Sequence, residues 1–488
     1  MANPETITIS KTEYLQLKDM ADRCQLLEYE VKELKRLMFG VKRERFIAQD
    51  PSQLSLFVLD ETPGTPPQQE KITYTRTKNH KERKHPLRGE LPAHLPREEQ
   101  VIEPENIPQN AQRIGEVVTE LLEYDPAKMY VKRYIRPKYI VDSDDERTNI
   151  VIAQLPSLPI PKANAASSML AHITVSKMVD HLPFYRQAKM LRRMGLEIPE
   201  STIGGWFSAM CNLLEPLYNN LKQQILATDY LMADETPIPV LTRDKPGATH
   251  KGYHWVYYEP VKRLVLFDYR KSRAREGPKE MLENYNGYLQ TDGYTAYNNL
   301  NNQSKITYLA CMAHARRKFE HARDNHPQLA EQALVLFQQL YDIERKAREE
   351  SLSFQQIHSL RLKESVPVLD TLKQWMDDNV NANPPKNLIS KAIAYTLTLW
   401  PRLVRYVENG KFQIDNNLIE NSIRPLAIGR KNYLFAGSHD AAHNAAIIYS
   451  LLGTCKINDI EPYQWLKNTL DRIPNHPQEN LHELLPVK

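Results

Sequence analysis

A chain of 488 residues exceeds what one hydrophobic core ordinarily organises, and at roughly 150 residues per domain it predicts about three domains. A net charge of +4 with 25% charged residues excludes a polyacid, a polybase and a charge-driven disordered chain, so contact with nucleic acid has to come from local clusters of bases. Four widely spaced cysteines, the start "MANPETITIS" and the lack of any apolar run near the roughly 18 residues of a membrane span predict a reduced cytoplasmic protein with no membrane partner.

Residues 1–48 place Leu17, Cys24, Val31 and Met38 seven apart, with Met20, Leu27, Leu34 and Val41 three places later. This is the a/d seam of a coiled coil and predicts a homodimer or higher assembly, although an amphipathic helix packed on its own domain gives the same pattern. Residues 49–89 read as a linker, first rich in proline and glutamine, then basic in "KITYTRTKNHKERKHPLR". Such an arm neutralises phosphates or is simply a solvated charge run. Residues 90–150 mix strand-like segments and predict a small β-rich domain.

Residues 160–225 turn helical, with a break at Gly195 and a second helix opening at Ser201 and Thr202, the outline of a helix-turn-helix. The bases Arg186, Lys189, Arg192 and Arg193 lie on the first helix, where DNA backbone contacts belong, yet any α-hairpin is built the same way. Residues 226–452 predict an α/β domain. Three apolar runs, "YLMADETPIPVL", "YHWVYYEP" and "RLVLFDYR", precede a short helix and further strands. A helical block at about 316–400, with Ala333, Leu336, Leu340 and Ile343 on one stripe, is inserted before "DNNLIENSIRPLAIGRKN". Residues 453–488 form a C-terminal segment.

Asp234 interrupts an apolar strand, where an acid is costly without a cation or metal. Asp292 ends the strand "GYLQTD", and Glu420 opens a helix after Asn417. Each has a plain alternative: a cap at Asp234, an Asp-Gly turn at Asp292, a capping box at Glu420. Together, two strand acids and a helix acid match the donor set that holds a pair of Mg²⁺ ions roughly 3.5–4 Å apart for phosphodiester chemistry. Arg424 follows Glu420 by one turn. Arg430 and Lys431 come after Pro425, a helix-interrupting residue type, and are placed to grip the DNA backbone.

The motifs "ADETPIPV", "LQTDGYTAYN", "CMAHARRKF", "DNNLIENSIRPLAIGRKNYLFAGS" and "IYSLLGTCKINDIEPYQWL" resemble those of the insertion-sequence-66 transposases. The resemblance spans nearly the whole chain. It implies a ribonuclease-H-like catalytic domain, with Asp234, Asp292 and Glu420 as catalytic acids and metal ligands for Mg²⁺ or Mn²⁺ in its place. It further implies DNA as partner, both element ends and target, with accessory proteins of the element as further candidates and a bacterial, nucleoid-associated location when DNA-bound. Asp415 lies in the same signature without being a triad member, and Cys311 with His314 matches a family Cys-x-x-His pair to which we assign a packing or orienting role. Where the family carries paired zinc-binding cysteines, this chain has "IPQNAQRIGEVV" and "RPKYIVDSDDER", which predicts no structural zinc. Two rivals remain at this stage: a dimeric DNA-binding regulator with an inactive domain, and a ribonuclease-H-like nuclease that cleaves without joining.

Overall fold

The computed structural model describes residues 156–487 except 162, 243–246, 299, 301–304 and 382–383. It also describes the strands Lys138–Val141 and Asn149–Ile152, residues 129–131 and 135, and positions 20 and 23. The predicted coiled coil apart from positions 20 and 23, the linker and most of the small β-rich domain therefore lie outside the described residues. The chain divides into two compact units, residues 42–155 and residues 1–41 with 156–488. In the first, β1 (Lys138–Val141) and β2 (Asn149–Ile152) pair antiparallel. All elements below belong to the second.

Three helices come first: α1 (Ser167–Met178), α2 (Phe184–Arg193) and α3 (Glu200–Leu226). Gly195 at φ +81° makes the turn between α2 and α3, a conformation that a side chain disfavours. The long α3 runs through Pro216 and buries a continuous stripe from Ile203 to Ile225.

The sheet follows as β3 (Tyr230–Leu241), β4 (Thr249–Glu259), β5 (Leu264–Arg270), β6 (Gly287–Thr291) and β7 (Ile306–Ala310), with the short helix α4 (Glu276–Met281) before β6. Its spatial order is β5-β4-β3-β6-β7. The first three strands form an antiparallel meander, and β6 and β7 run parallel to β3, so the domain is α/β with a mixed five-stranded sheet.

Pro237 and Pro239 in the central strand are tolerated for a local reason. The β3–β6 ladder ends at Met232 and Gln290, so beyond that point β4 is the one strand paired with β3, and the only other backbone partner among the described residues is an isolated bridge from Val240 to Ala436. At the far edge, the Phe267 N–H donates to Ser450 Oγ (2.8 Å) and the Val265 N–H to Thr454 Oγ1 (3.3 Å), satisfying β5 donors that would otherwise be open to another chain.

The insertion comprises α5 (Met312–Ala322), α6 (Pro327–Glu349), α7 (Phe354–Leu360), a π-turn at Arg361–Ser365, α8 (Val366–Asn379) and α9 (Leu388–Leu403). The chain then returns through α10 (Asn417–Tyr433), α11 (His439–Ile457) and α12 (Pro462–Arg472). Pro425 does not interrupt α10, contrary to the reading of its residue type. The carbonyl it leaves unpaired belongs to exposed Asn421, where water serves. Among the described residues no helix is long and apolar enough to cross a membrane.

Candidate active site

Carried two residues past its last pair, the register Tyr230 with Tyr288 and Met232 with Gln290 sets Asp234 opposite Asp292. Residues of equal parity on neighbouring strands share a face, so the two acids stand side by side where β6 ends. Asp234 Oδ1 accepts from the Glu235 N–H (2.8 Å), and Asp292 Oδ1 accepts from the Tyr294 N–H (2.8 Å). Gly293 at φ +93° turns the chain directly after Asp292, under Leu399 and Tyr395 of α9, and the Tyr395 hydroxyl donates to the Asp292 carbonyl (3.0 Å).

Glu420 reaches this place because the segment before α10 is stitched to the same strand ends. The Gln413 N–H donates to the Tyr230 hydroxyl (2.9 Å), the Met312 N–H to the Ile414 carbonyl (3.0 Å), and the Asn416 N–H to Cys311 Sγ (3.2 Å). Cys311 follows β7 directly and its own N–H donates to the Thr291 carbonyl at the end of β6 (3.1 Å). Burial pushes its thiol up to about 12, so it stays protonated and inert, as an orienting role requires.

Asp415, unassigned from the sequence, meets the helix start. Its Oδ1 accepts from the Asn417 N–H (3.0 Å) and its Oδ2 from Asn417 Nδ2 (2.7 Å), while Asn416 at the N-cap provides no side-chain cap. The capping-box reading of Glu420 is therefore replaced: Asp415 serves the helix terminus, and no side-chain cap is made there by Asn416 or Asn417.

Burial raises the Asp234 carboxyl well above the usual carboxylate range, and the charges of Glu235, Asp292 and Glu420 add to it. Asp292 and Glu420, carried by two other parts of the chain, thus both act on Asp234. His314, on α5, is lowered by burial and by Arg317, against the pull of Asp292 and Glu420. Its Nδ1 and both amide atoms of Asn416 are buried without a hydrogen-bond partner among the described residues. By contrast Glu235, on the opposite face of β3, forms an ion pair with Arg273 and accepts from the Tyr297 hydroxyl (3.1 Å). Glu235 and its partners escaped sequence reasoning, although a second acid in the same apolar strand was a signal for them.

Among the described residues, none of Asp234, Asp292 and Glu420 is in an ion pair. The donor set fits a hard divalent cation in composition, three carboxylates with spare oxygen atoms and buried orphan polar groups beside them. No three His, Cys, Asp or Glu side chains among the described residues yet stand close enough to share one ion. A cation would have to draw the acids together against the repulsion that Asp234 registers.

The predicted DNA contacts divide. Arg424 is exposed one turn beyond Glu420, and Lys431 is exposed near the helix end. Arg430 is half-buried and donates to Thr236 Oγ1 (2.8 Å) and the Pro237 carbonyl (2.6 Å), fastening α10 to β3. Arg186, Lys189, Arg192 and Arg193 are exposed along α2, with Ser201 exposed and Thr202 half-buried at the start of α3. Arg186 reaches Asn432 (3.4 Å) and Lys177 lies over the Tyr433 ring (5.1 Å). Arg186 of α2 and Lys177 of α1 thus meet the C-terminal end of α10, while Glu420 lies in its first turn.

The same domain thus carries Asp234 on a strand, Asp292 just past another, Glu420 on a helix, and a basic helical hairpin. Residues 162–444 match the model of the Transposase IS66 family, residues 450–487 the IS66 C-terminal element, and residues 26–99 a region described as Transposase C of IS166 homeodomain. Among relatives, the uncharacterized protein y4jD of Sinorhizobium fredii is 32% identical over 92% of this chain and 91% of its own length. The uncharacterized protein y4qI of the same organism is 30% identical over 99% of this chain and 93% of its own. The chain belongs to the IS66 family of transposases.

Proposed function

We propose that this chain is an active DNA transposase that cleaves the ends of a mobile element and joins them to target DNA, with Asp234, Asp292 and Glu420 as its catalytic acids. The observation that carries the reading is the electrostatic convergence of these three acids, uncompensated by any ion pair among the described residues, on a domain of the transposase family. We read the domain as ribonuclease-H-like: a three-stranded meander, then two parallel strands on the other side of its first strand, support that fold. The helical hairpin of α2 and α3 and the family region at 26–99 support DNA as the partner.

The three carboxylates would hold Mg²⁺, or Mn²⁺ in its place. When bound, the divalent cation supplies charge for the attacking and leaving oxygens of an in-line displacement. Asp234 must give up its proton to serve, and the neighbours that raise its carboxyl make that loss dependent on pH. Asp415 and Cys311 hold the start of α10 so that Glu420 faces the strand acids. Exposed Arg424 meets a non-bridging phosphate oxygen. In the first step water attacks a phosphodiester, forming one P–O bond as the bond to the departing 3′-oxygen breaks. In the second, the freed 3′-hydroxyl attacks a target phosphodiester and exchanges one P–O bond for another.

The test is cleavage and strand joining on DNA bearing the element's ends. Asp234→Asn, Asp292→Asn and Glu420→Gln should each lose about 10²-fold or more. Wild-type rates in any one remove that residue from the site, and end binding without nicking by the unaltered chain marks a regulator instead.

A further inference from the structure

Leu434, at the C-terminal end of α10, has φ +67° and ψ −45°, and the Phe435 N–H donates to the Tyr433 carbonyl (2.8 Å). This is a γ-turn of the strained hand, centred on a bulky side chain that gains nothing from that backbone. The surroundings impose it. The Leu434 N–H is held by the Arg430 carbonyl (2.9 Å), the Ala436 N–H donates to the Pro239 carbonyl (2.8 Å), and the Leu241 N–H to the Ala436 carbonyl (2.9 Å). The corner is therefore rigid, clamped between α10 and β3.

What this clamped corner presents is apolar and open: Leu434 is 62% exposed and Phe435 39%. Burial does not explain the strain, since the side chain at its centre is not buried. Beside Leu434 lies an open cavity of about 390 Å³, lined also by Thr249, His250, Lys251 and Arg430. An apolar tip beside cations is the chemistry of a wedge that enters a base stack while its flanks meet phosphate. Of the partners such a surface fits, duplex DNA is favoured by that charge complementarity and by Arg186 of α2, which meets the same helix end.

We propose that Leu434 is a wedge that unstacks the element-end duplex at one base step, held at a fixed distance from the acids by α10. This rests on the transposase reading. Glu420 and Leu434 lie near opposite ends of one helix, roughly 20 Å apart at 1.5 Å per residue, which is about six base steps at ~3.4 Å each. The opened step should lie about that far from the cleaved bond.

The experiment uses the full chain and a duplex of the inverted repeat flanking its gene, with 2-aminopurine placed at each position in turn. The unaltered protein should raise the fluorescence several-fold at one or two adjacent positions and nowhere else. Leu434→Ala and Leu434→Gly should abolish that rise while still shifting the duplex in a gel. The glycine variant relieves the backbone strain, so its thermal midpoint should hold or rise, whereas a merely structural role for Leu434 predicts a fall. Retention of the signal in both variants overturns the wedge, as does its absence from the unaltered protein. Because the signal needs binding alone, a chain that gives it without cutting DNA upholds the wedge and overturns the catalytic reading, while cutting without the signal does the reverse.

Discussion

Glu344 and Arg361 in the helical insertion are buried together, and every N–H of the guanidinium is used: two go to the carboxylate (2.8 and 2.7 Å) and three to the carbonyls of Tyr406, Asn409 and Phe412. Asp234, Asp292 and Glu420 at the sheet have no cation among the described residues, and Asp234 is raised by burial and by its acidic neighbours. The first region takes charge out of water and compensates it with protein groups, whereas the three acids are half-buried and have no ion pair among the described residues. On the proposed function, the difference separates a device that fixes the fold from one that leaves charge for a substrate or cation. The Arg361 pair ties down the segment from which the chain returns to α10, so the satisfied region positions the unsatisfied one.

The sharpest way to break this contrast is to neutralise each region. Loss of any one of the three acids should cost about 10²-fold or more in cleavage while leaving the fold intact. Arg361→Met strands the Glu344 carboxylate and three carbonyls and should cost about 3–5 kcal/mol, read as a fall of roughly 10 °C in thermal midpoint. Adding Glu344→Leu should restore part of it, because the charge left alone is then gone.

Gly293→Ala tests the coupling between insertion and site. An alanine there would hold φ +93° with its Cβ 3.0 Å from Leu399 Cδ1, so a loss of about 1–3 kcal/mol is expected, with a fall in cleavage as Asp292 is displaced. Unchanged cleavage would mean that the α9 contact does not position that acid.

The smallest effect has the opposite sign. A carboxyl raised in the folded state binds its proton more tightly there than in the unfolded chain, so its stabilising contribution is complete below the ordinary carboxylate range. That contribution is lost as pH rises through the raised value. The metal-free protein should therefore weaken over that window. Asp234→Asn should remove the dependence and gain about 1 kcal/mol at neutral pH, an exchange of stability for function.

The strands that carry the candidate aspartates were legible because their signals are local. Asp234 is an acid in an apolar run that became β3, and Asp292 directly follows one that became β6. Asp415 was not legible, since its value depends on which way two neighbouring amide groups turn at the helix start. The anchoring of Arg430 was not legible either, because the partners that take its donors, Thr236 and the Pro237 carbonyl, lie on a strand nearly two hundred positions earlier. Pro425 misled for the reverse reason, because tolerance of a proline depends on whether the carbonyl it abandons meets water. Nothing in "NYLFAGS" marks Leu434 as strained, for the backbone there is dictated by Pro239 and Leu241 rather than by its own neighbours.

The central claim, that the three acids form one site left for a divalent cation, is met most directly by the thermal midpoint of the full-length protein and of Asp234→Asn, each with and without Mg²⁺ at two pH values. The account predicts that the metal-free variant melts above the metal-free wild type, that Mg²⁺ raises the wild type more at the higher pH, and that it leaves the variant nearly unmoved. Equal midpoints without metal and equal shifts with it would contradict the account.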